Sequence, residues 1–174
     1  MFTARAGDRF AEGKISKVVT KAVSAGLIMY RLTDQRLEVL LVHPGGPFWE
    51  KKDSWTFPRG ELLEGEIPLA GALREFWEET SIEAKPPYID LGSARQKSGK
   101  MIYAWAFAGS CDPTQLRSNL FEMEWPPHSG KLSKFPEIDE AKFFTVAAAQ
   151  KKMRPSEWPF IERLQQAVRV SKEE

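Results

Sequence analysis

The chain is poor in the residues that build disulfide frameworks and soft metal centres. It has one cysteine, Cys111, and two histidines, His43 and His128, among 174 residues. A single thiol excludes an intrachain disulfide and a cysteine metal cluster, so Cys111 reads as a small packing residue. His43 closes an apolar run with no partner visible in the sequence, and His128, followed by Ser129 and Gly130, reads as a turn residue rather than a catalytic base. The formal net charge is only +1, which denies the chain a global field for nucleic acid or a membrane surface. No apolar run approaches the roughly 20 residues of a membrane-spanning helix, and the N-terminal residues lack the apolar core of a signal peptide. The expectation is a cytoplasmic protein with no membrane partner. Apolar content of 42% and charged content of 28% are ordinary for a globular domain. The length suits one domain, residues 1–174, with a substantial core.

What is abundant lies in residues 60–82, GELLEGEIPLAGALREFWEETSI. Glu75, Glu78 and Glu79 stand at i, i+3 and i+4, so a helix places them on one face. Like charges at that spacing repel and weaken a helix, and a divalent cation would offset the repulsion. Clustered hard oxygen ligands suit Mg²⁺ or Mn²⁺ better than zinc. Leu69, Ala72, Leu73 and Phe76 supply the i, i+3, i+4, i+7 stripe of an amphipathic helix. Pro68 sits where a first turn tolerates proline, and Arg74 is placed to pair with a carboxylate such as Glu66. An ordinary solvated acidic face does not explain this combination.

Elsewhere the pattern is that of one α/β unit without repeats or low-complexity linkers. Residues 1–20 read as a polar arm or edge segment. Residues 22–31 and 37–43 read as strands joined by a turn at Thr33, Asp34 and Gln35, followed by a loop that opens at Pro44-Gly45-Gly46-Pro47. Residues 55–60 read as a short strand that breaks at Pro58. Further strands are expected over 88–95, 101–109 and 140–146, then a short helix over 145–153. A longer helix over 156–170 would turn Phe160, Ile161, Leu164 and Val168 inward. Residues 110–136 read as a long irregular loop, broken by Pro113, Pro126, Pro127 and Gly130 and carrying Phe121, Trp125 and Phe135 among Arg117, Lys131 and Lys134. That composition fits either a substrate lid or a packing flap.

The spacing Gly60, Glu66, Arg74-Glu75-Phe76, Glu78-Glu79, Ile82 resembles the signature G-x5-E-x7-R-E-U-x-E-E-x-G-U of the Nudix hydrolases, where U is bulky and apolar. Six fixed identities at residue frequencies of about one in fifteen arise by chance with odds on the order of one in 10⁵. The one departure is Ser81, where the family has glycine to end the helix in a left-handed conformation. The resemblance implies an α/β Nudix fold, a mixed sheet between helices (α/β/α), and a pyrophosphohydrolase of nucleoside diphosphates linked to another group. It implies Glu78 and Glu79 as metal ligands, Glu75 as ligand or base, a carbonyl at Arg59 or Gly60 completing the set, and Glu66 and Arg74 holding the geometry. A further carboxylate from outside the signature is expected at Glu137, with Glu122 or Glu124 as alternatives.

Arg59, before Gly60, resembles the basic residue of the dinucleoside and inositol polyphosphate branches and could grip phosphate. Arg95, Lys97 and Lys100 form a second basic cluster at a strand turn. Three functions follow: hydrolysis of a small nucleotide such as a dinucleoside polyphosphate, pyrophosphate removal from RNA 5′ ends, or nucleotide binding without catalysis. The near-zero net charge weighs against nucleic acid, and the retained acids weigh against the binding module. Six tryptophans would serve a homodimer as readily as a ligand pocket.

Overall fold

The computed structural model describes residues 22–173, with side chains through 169. The arm expected over residues 1–20 lies outside the described residues. The first two strands, β1 (Val23–Thr33) and β2 (Arg36–Pro44), form an antiparallel hairpin. Its tight turn places Asp34 and Gln35 at positive φ, 48° and 63°, the left-handed pair that matches strand twist. β3 (Arg59–Glu61) follows, then helix α1 (Pro68–Thr80), β4 (Ile89–Arg95) and β5 (Met101–Ala108). β6 (Leu120–Glu124), β7 (Leu132–Pro136), β8 (Ile138–Thr145), α2 (Val146–Lys152) and α3 (Trp158–Glu173) complete the order.

The main sheet runs β4-β5-β1-β2-β8, with β3 paired to β1. It is mixed: β1 is parallel to β5 and antiparallel to β2 and β3. Strand alternation divides the apolar residues between the two faces. Ile28, Val39, Leu41 and Ala104 pack with Phe160, Ile161 and Leu164 of α3. Leu27, Met29, Leu40 and Val42 pack with Ala72 and Phe76 of α1. The helices therefore cover both faces, as the α/β/α expectation required.

One edge of β1 forks. Residues 30–33 pair with β2, whereas residues 24–26 pair with β3. Residues 55–61 cross the gap, bonded first to Val42 at Thr56 and then to Leu27 at Pro58. The expected break therefore falls at Phe57-Pro58, but pairing resumes at Arg59 where a loop was expected. Proline, which has no N–H to donate, offers its carbonyl to Leu27 at 3.0 Å.

The irregular loop expected over 110–136 is corrected by the structure. It contains a 3₁₀ turn at Pro113–Gln115 and a two-stranded hairpin, β6 with β7. Pro126, Pro127 and Gly130 lie in the hairpin turn, and the flanking strands alternate exposed and half-buried residues. Phe121 rests against Gly46, and Trp125 meets Phe48 edge-on at 5.7 Å.

Candidate active site

α1 runs from Pro68 to Thr80 and is capped by Ser81, which takes the left-handed conformation (φ 58°, ψ 23°). Its N–H donates to the Trp77 carbonyl at 2.7 Å, closing the helix as a glycine would. The serine hydroxyl donates to the Arg117 carbonyl at 2.8 Å, a bond glycine cannot make. The Asn119 N–H donates to the Glu78 carbonyl at 3.0 Å. These two bonds tie the segment before β6 to the end of the helix.

The acidic face is organised by Arg74. Its guanidinium clasps Glu66 bidentately, at 2.8 and 2.9 Å, and reaches Glu75 at 2.8 Å and Glu78 at 3.3 Å. Hydrogen bonds from Arg74 and from the Leu63 N–H hold the Glu66 pKa down to about 2. The opposite holds for Glu75, Glu79 and Glu137. Burial pushes Glu75 upward against the opposing pull of Arg74. Burial, with the charges of Glu75 and Glu137, pushes Glu79 well above the usual carboxylate range. Glu137, in the bend between β7 and β8, is raised by burial and by Glu75 and Glu78.

Glu137 is thus brought into the field of the signature acids. Glu122 and Glu124 are not: the first faces Lys134 at 3.5 Å, and the second accepts from the Gly130 N–H at 2.8 Å. Gly60 lies under the Glu75 carboxylate, where a Cβ would stand 2.1 Å from the carboxyl carbon. Among the described residues no three acidic, imidazole or thiol groups converge on one point. The set nonetheless fits a hard divalent cation: all its donors are oxygens, and its negative charge exceeds what Arg74 neutralises. Glu79 also lines a cavity of about 420 Å³ with Arg31, Lys142 and Phe143, a volume within the usual range for nucleotide-sized ligands. There the Arg31 guanidinium lies 3.8 Å from the Phe143 ring centroid.

Arg59 has a role that sequence reasoning missed. Its backbone N–H donates to Glu79 at 3.1 Å, while its guanidinium meets fully buried Glu157 at 2.6 Å. Glu157 also accepts from the Thr56 hydroxyl at 2.9 Å. Gln96, its amide oxygen turned toward the guanidinium, accepts at 3.2 Å. Glu157 precedes an amphipathic helix, where a glutamate ordinarily reads as solvated, so nothing in its spacing announced a buried partner. The second basic cluster is scattered: Lys100 pairs with Glu61 at 2.9 Å, Arg95 donates to the Gly99 carbonyl at 3.4 Å, and Lys97 occupies the exposed turn.

The family model of the NUDIX domain matches residues 20–164. The chain belongs to the Nudix family. Over 53 residues it is 46% identical to an RNA pyrophosphohydrolase of Psychrobacter sp. (strain PRwf-1), spanning 29% of this chain and 30% of that protein. Over 48 residues it is 42% identical to Nudix hydrolase 5 of Arabidopsis thaliana, spanning 28% and 16%. The chain thus matches less than a third of the length of these curated relatives. The NUDIX domain of Shewanella oneidensis NrtR, solved with ADP ribose, superposes with a TM-score of 0.61 at 17% identity, covering 85% of this chain and 88% of that one. A C. elegans Ap4A hydrolase binary complex superposes at 0.60 with 19% identity, covering 84% and 98%. At these identities the likeness shows the Nudix fold. No helix among the described residues is long and apolar enough to cross a membrane.

Proposed function

We propose that this Nudix chain is a divalent-metal-dependent hydrolase, acting in the cytoplasm on a pyrophosphate bond in a nucleotide or dinucleoside polyphosphate. The observation that carries this reading is the shared field of Glu75, Glu78, Glu79 and Glu137, whose charges act on one another beside the cavity that Glu79 lines. Glu75, Glu78, Glu79 and Glu137, with the Gly60 carbonyl, would hold Mg²⁺ or Mn²⁺. Such an ion, when bound, neutralises phosphate charge and lowers the pKa of a water. The protein's own part is positioning and electrostatics, which is most of what phosphoryl transfer requires. Arg74 fixes Glu66 and Glu75, and the Arg59 N–H aims Glu79. Glu75, which the resemblance gives as ligand or base, would accept the proton of the attacking water where the other acids hold the ion. The cavity with Arg31 and Phe143 would receive the nucleoside, and Arg59 would offer positive charge to the phosphate chain, with Arg95, Lys97 and Lys100 contributing only separately from their scattered positions.

The test is product identification across diadenosine polyphosphates, nucleoside triphosphates, ADP-ribose, a nucleotide sugar and a 5′-triphosphate RNA, with Mg²⁺ and then Mn²⁺. Metal-dependent cleavage at a pyrophosphate bond is expected. Turnover of none, with ligand binding retained, replaces the enzyme with a nucleotide-binding module. The 46% match to an RNA pyrophosphohydrolase supports the RNA substrate as the second reading, and the same panel decides between them.

A further inference from the structure

Arg59 serves two places at once. Its backbone nitrogen bonds Glu79, while its side chain forms part of the wall of a separate cleft of about 150 Å³ shared with Trp49, Trp55, Thr56 and Arg154. That volume is half the lower bound of roughly 300 Å³ for pockets that enclose drug-sized ligands. A nucleoside does not fit; a compact group such as a phosphate does.

The charge of this cleft is unbalanced in the sense opposite to the acidic face. Glu157 compensates one guanidinium, that of Arg59. The charge of Arg154 opposes that of Arg59, and Glu79 offsets part of that opposition, but among the described residues Arg154 itself has no carboxylate partner. Arg154 and Lys52 instead lie against the Trp49 ring, at 5.4 and 4.8 Å from its centroid. The nearby carboxylate of Asp53 is taken by Lys152 and by the Trp55 indole N–H. Arg59 has five N–H donors, and its bonds to Glu157 and Gln96 leave donors over. Guanidinium groups match phosphate oxygens in geometry and charge.

We propose that this cleft binds a phosphate of the substrate's chain beyond the anhydride that is cleaved, with Arg154 as its principal cation and Arg59 as the second. The assignment deepens the pyrophosphohydrolase reading and rests on it for the identity of the anion. It selects substrates with three or more linked phosphates over nucleoside diphosphate sugars, which have no phosphate left to fill the cleft.

The experiment is a calorimetric titration of inorganic tripolyphosphate into the full chain, without divalent ions and with a chelator present. Saturable binding is expected, weakened at least tenfold by R154Q, partly retained by R154K, and falling as salt rises. R36Q, which removes an exposed charge at the β1–β2 turn, is expected to bind as the unaltered chain does. No binding by the unaltered chain, equal binding by R154Q, or equal weakening by R36Q overturns the proposal. Because nothing is hydrolysed in this titration, its outcome is independent of whether the enzymatic reading holds. Turnover supplies the second arm: R154Q lowers kcat/KM at least tenfold for a nucleoside triphosphate and leaves a nucleotide sugar unchanged. An equal fall for both overturns the proposed selectivity.

Discussion

The two arginines that flank Gly60 stand in opposite surroundings. Arg74 faces three carboxylates, with Glu79 and Glu137 close by, so its neighbourhood is short of positive charge. The Arg59 side chain pairs with one carboxylate, Glu157, feels the more distant charge of Glu79, and stands near a second guanidinium, Arg154, that no carboxylate among the described residues pairs with. Fixed surpluses of opposite sign, joined through the Arg59–Glu79 bond, are what a cation–polyphosphate complex would satisfy together. The contrast also separates two uses of an ion pair. On the acidic face the pairing organises carboxylates at a partly exposed surface. Around Glu157 it neutralises a buried carboxylate that would otherwise be costly.

The largest effect is expected at the acidic surplus. Glu79→Gln should lower metal-dependent hydrolysis by at least about 10²-fold, measured as kcat with Mg²⁺. It should also leave the metal-free Tm unchanged or higher. The sign follows from the raised pKa of Glu79. A carboxyl with a raised folded-state pKa favours folding while protonated, and that contribution is lost as pH rises through the folded value. At neutral pH its ionised form is therefore a burden that the amide removes. Full activity in Glu79→Gln would take this residue out of the site and end the comparison.

On the other side, Glu157→Ala should cost about 3–5 kcal/mol in denaturant unfolding, because it strands the largely buried Arg59 cation. A cost below about 1 kcal/mol would show that water reaches Arg59 and that its surroundings are not closed. Arg74→Ala should lower activity about 10–100-fold by releasing Glu66 and Glu75, checked by steady-state kinetics at saturating Mg²⁺. The Arg74–Glu66 pairing should also mark the acid limb of stability. With the Glu66 pKa held at about 2, its contribution is present above the ordinary carboxylate range and fades as pH falls toward 2. A Tm-against-pH profile in which Arg74→Ala shows the same acid limb would refute that link.

The part of this arrangement written in local spacing was legible in the sequence. Apolar residues three and four apart gave α1 and its inward face, and the same spacing put Glu75, Glu78 and Glu79 together. Glu66 and Arg74 were readable as a pair because the loop between them is short. Glu137 could be named only as one of several loop acids, since its place depends on backbone bonds to Asn119 and Gly45, both distant in sequence. The β6–β7 hairpin was hidden because Pro126, Pro127 and Gly130 read as breakers of an element when they form its turn. Glu157 gave no signal: its partner lies 98 positions away, and only the fork in β1 brings residues 56–59 to it.

Ser81 supplies the smallest expected effect. Left-handed backbone costs a non-glycine residue roughly 1–2 kcal/mol, and the hydroxyl bond to the Arg117 carbonyl returns about 0.5–1.5 kcal/mol. Ser81→Gly should therefore change unfolding stability by less than about 1 kcal/mol and leave kcat unaltered. A larger loss would show that the tie to residue 117, rather than the helix end itself, holds the segment leading to Glu137.

The most direct test of the central claim is a calorimetric Mn²⁺ titration of the unaltered chain beside Glu79→Gln and Glu137→Gln. Saturable binding is expected, weakened at least about tenfold by both substitutions, in line with the loss of one carboxylate each. Binding of equal strength in all three proteins would contradict that claim, because the acidic surplus around Arg74 would then not be what holds the metal.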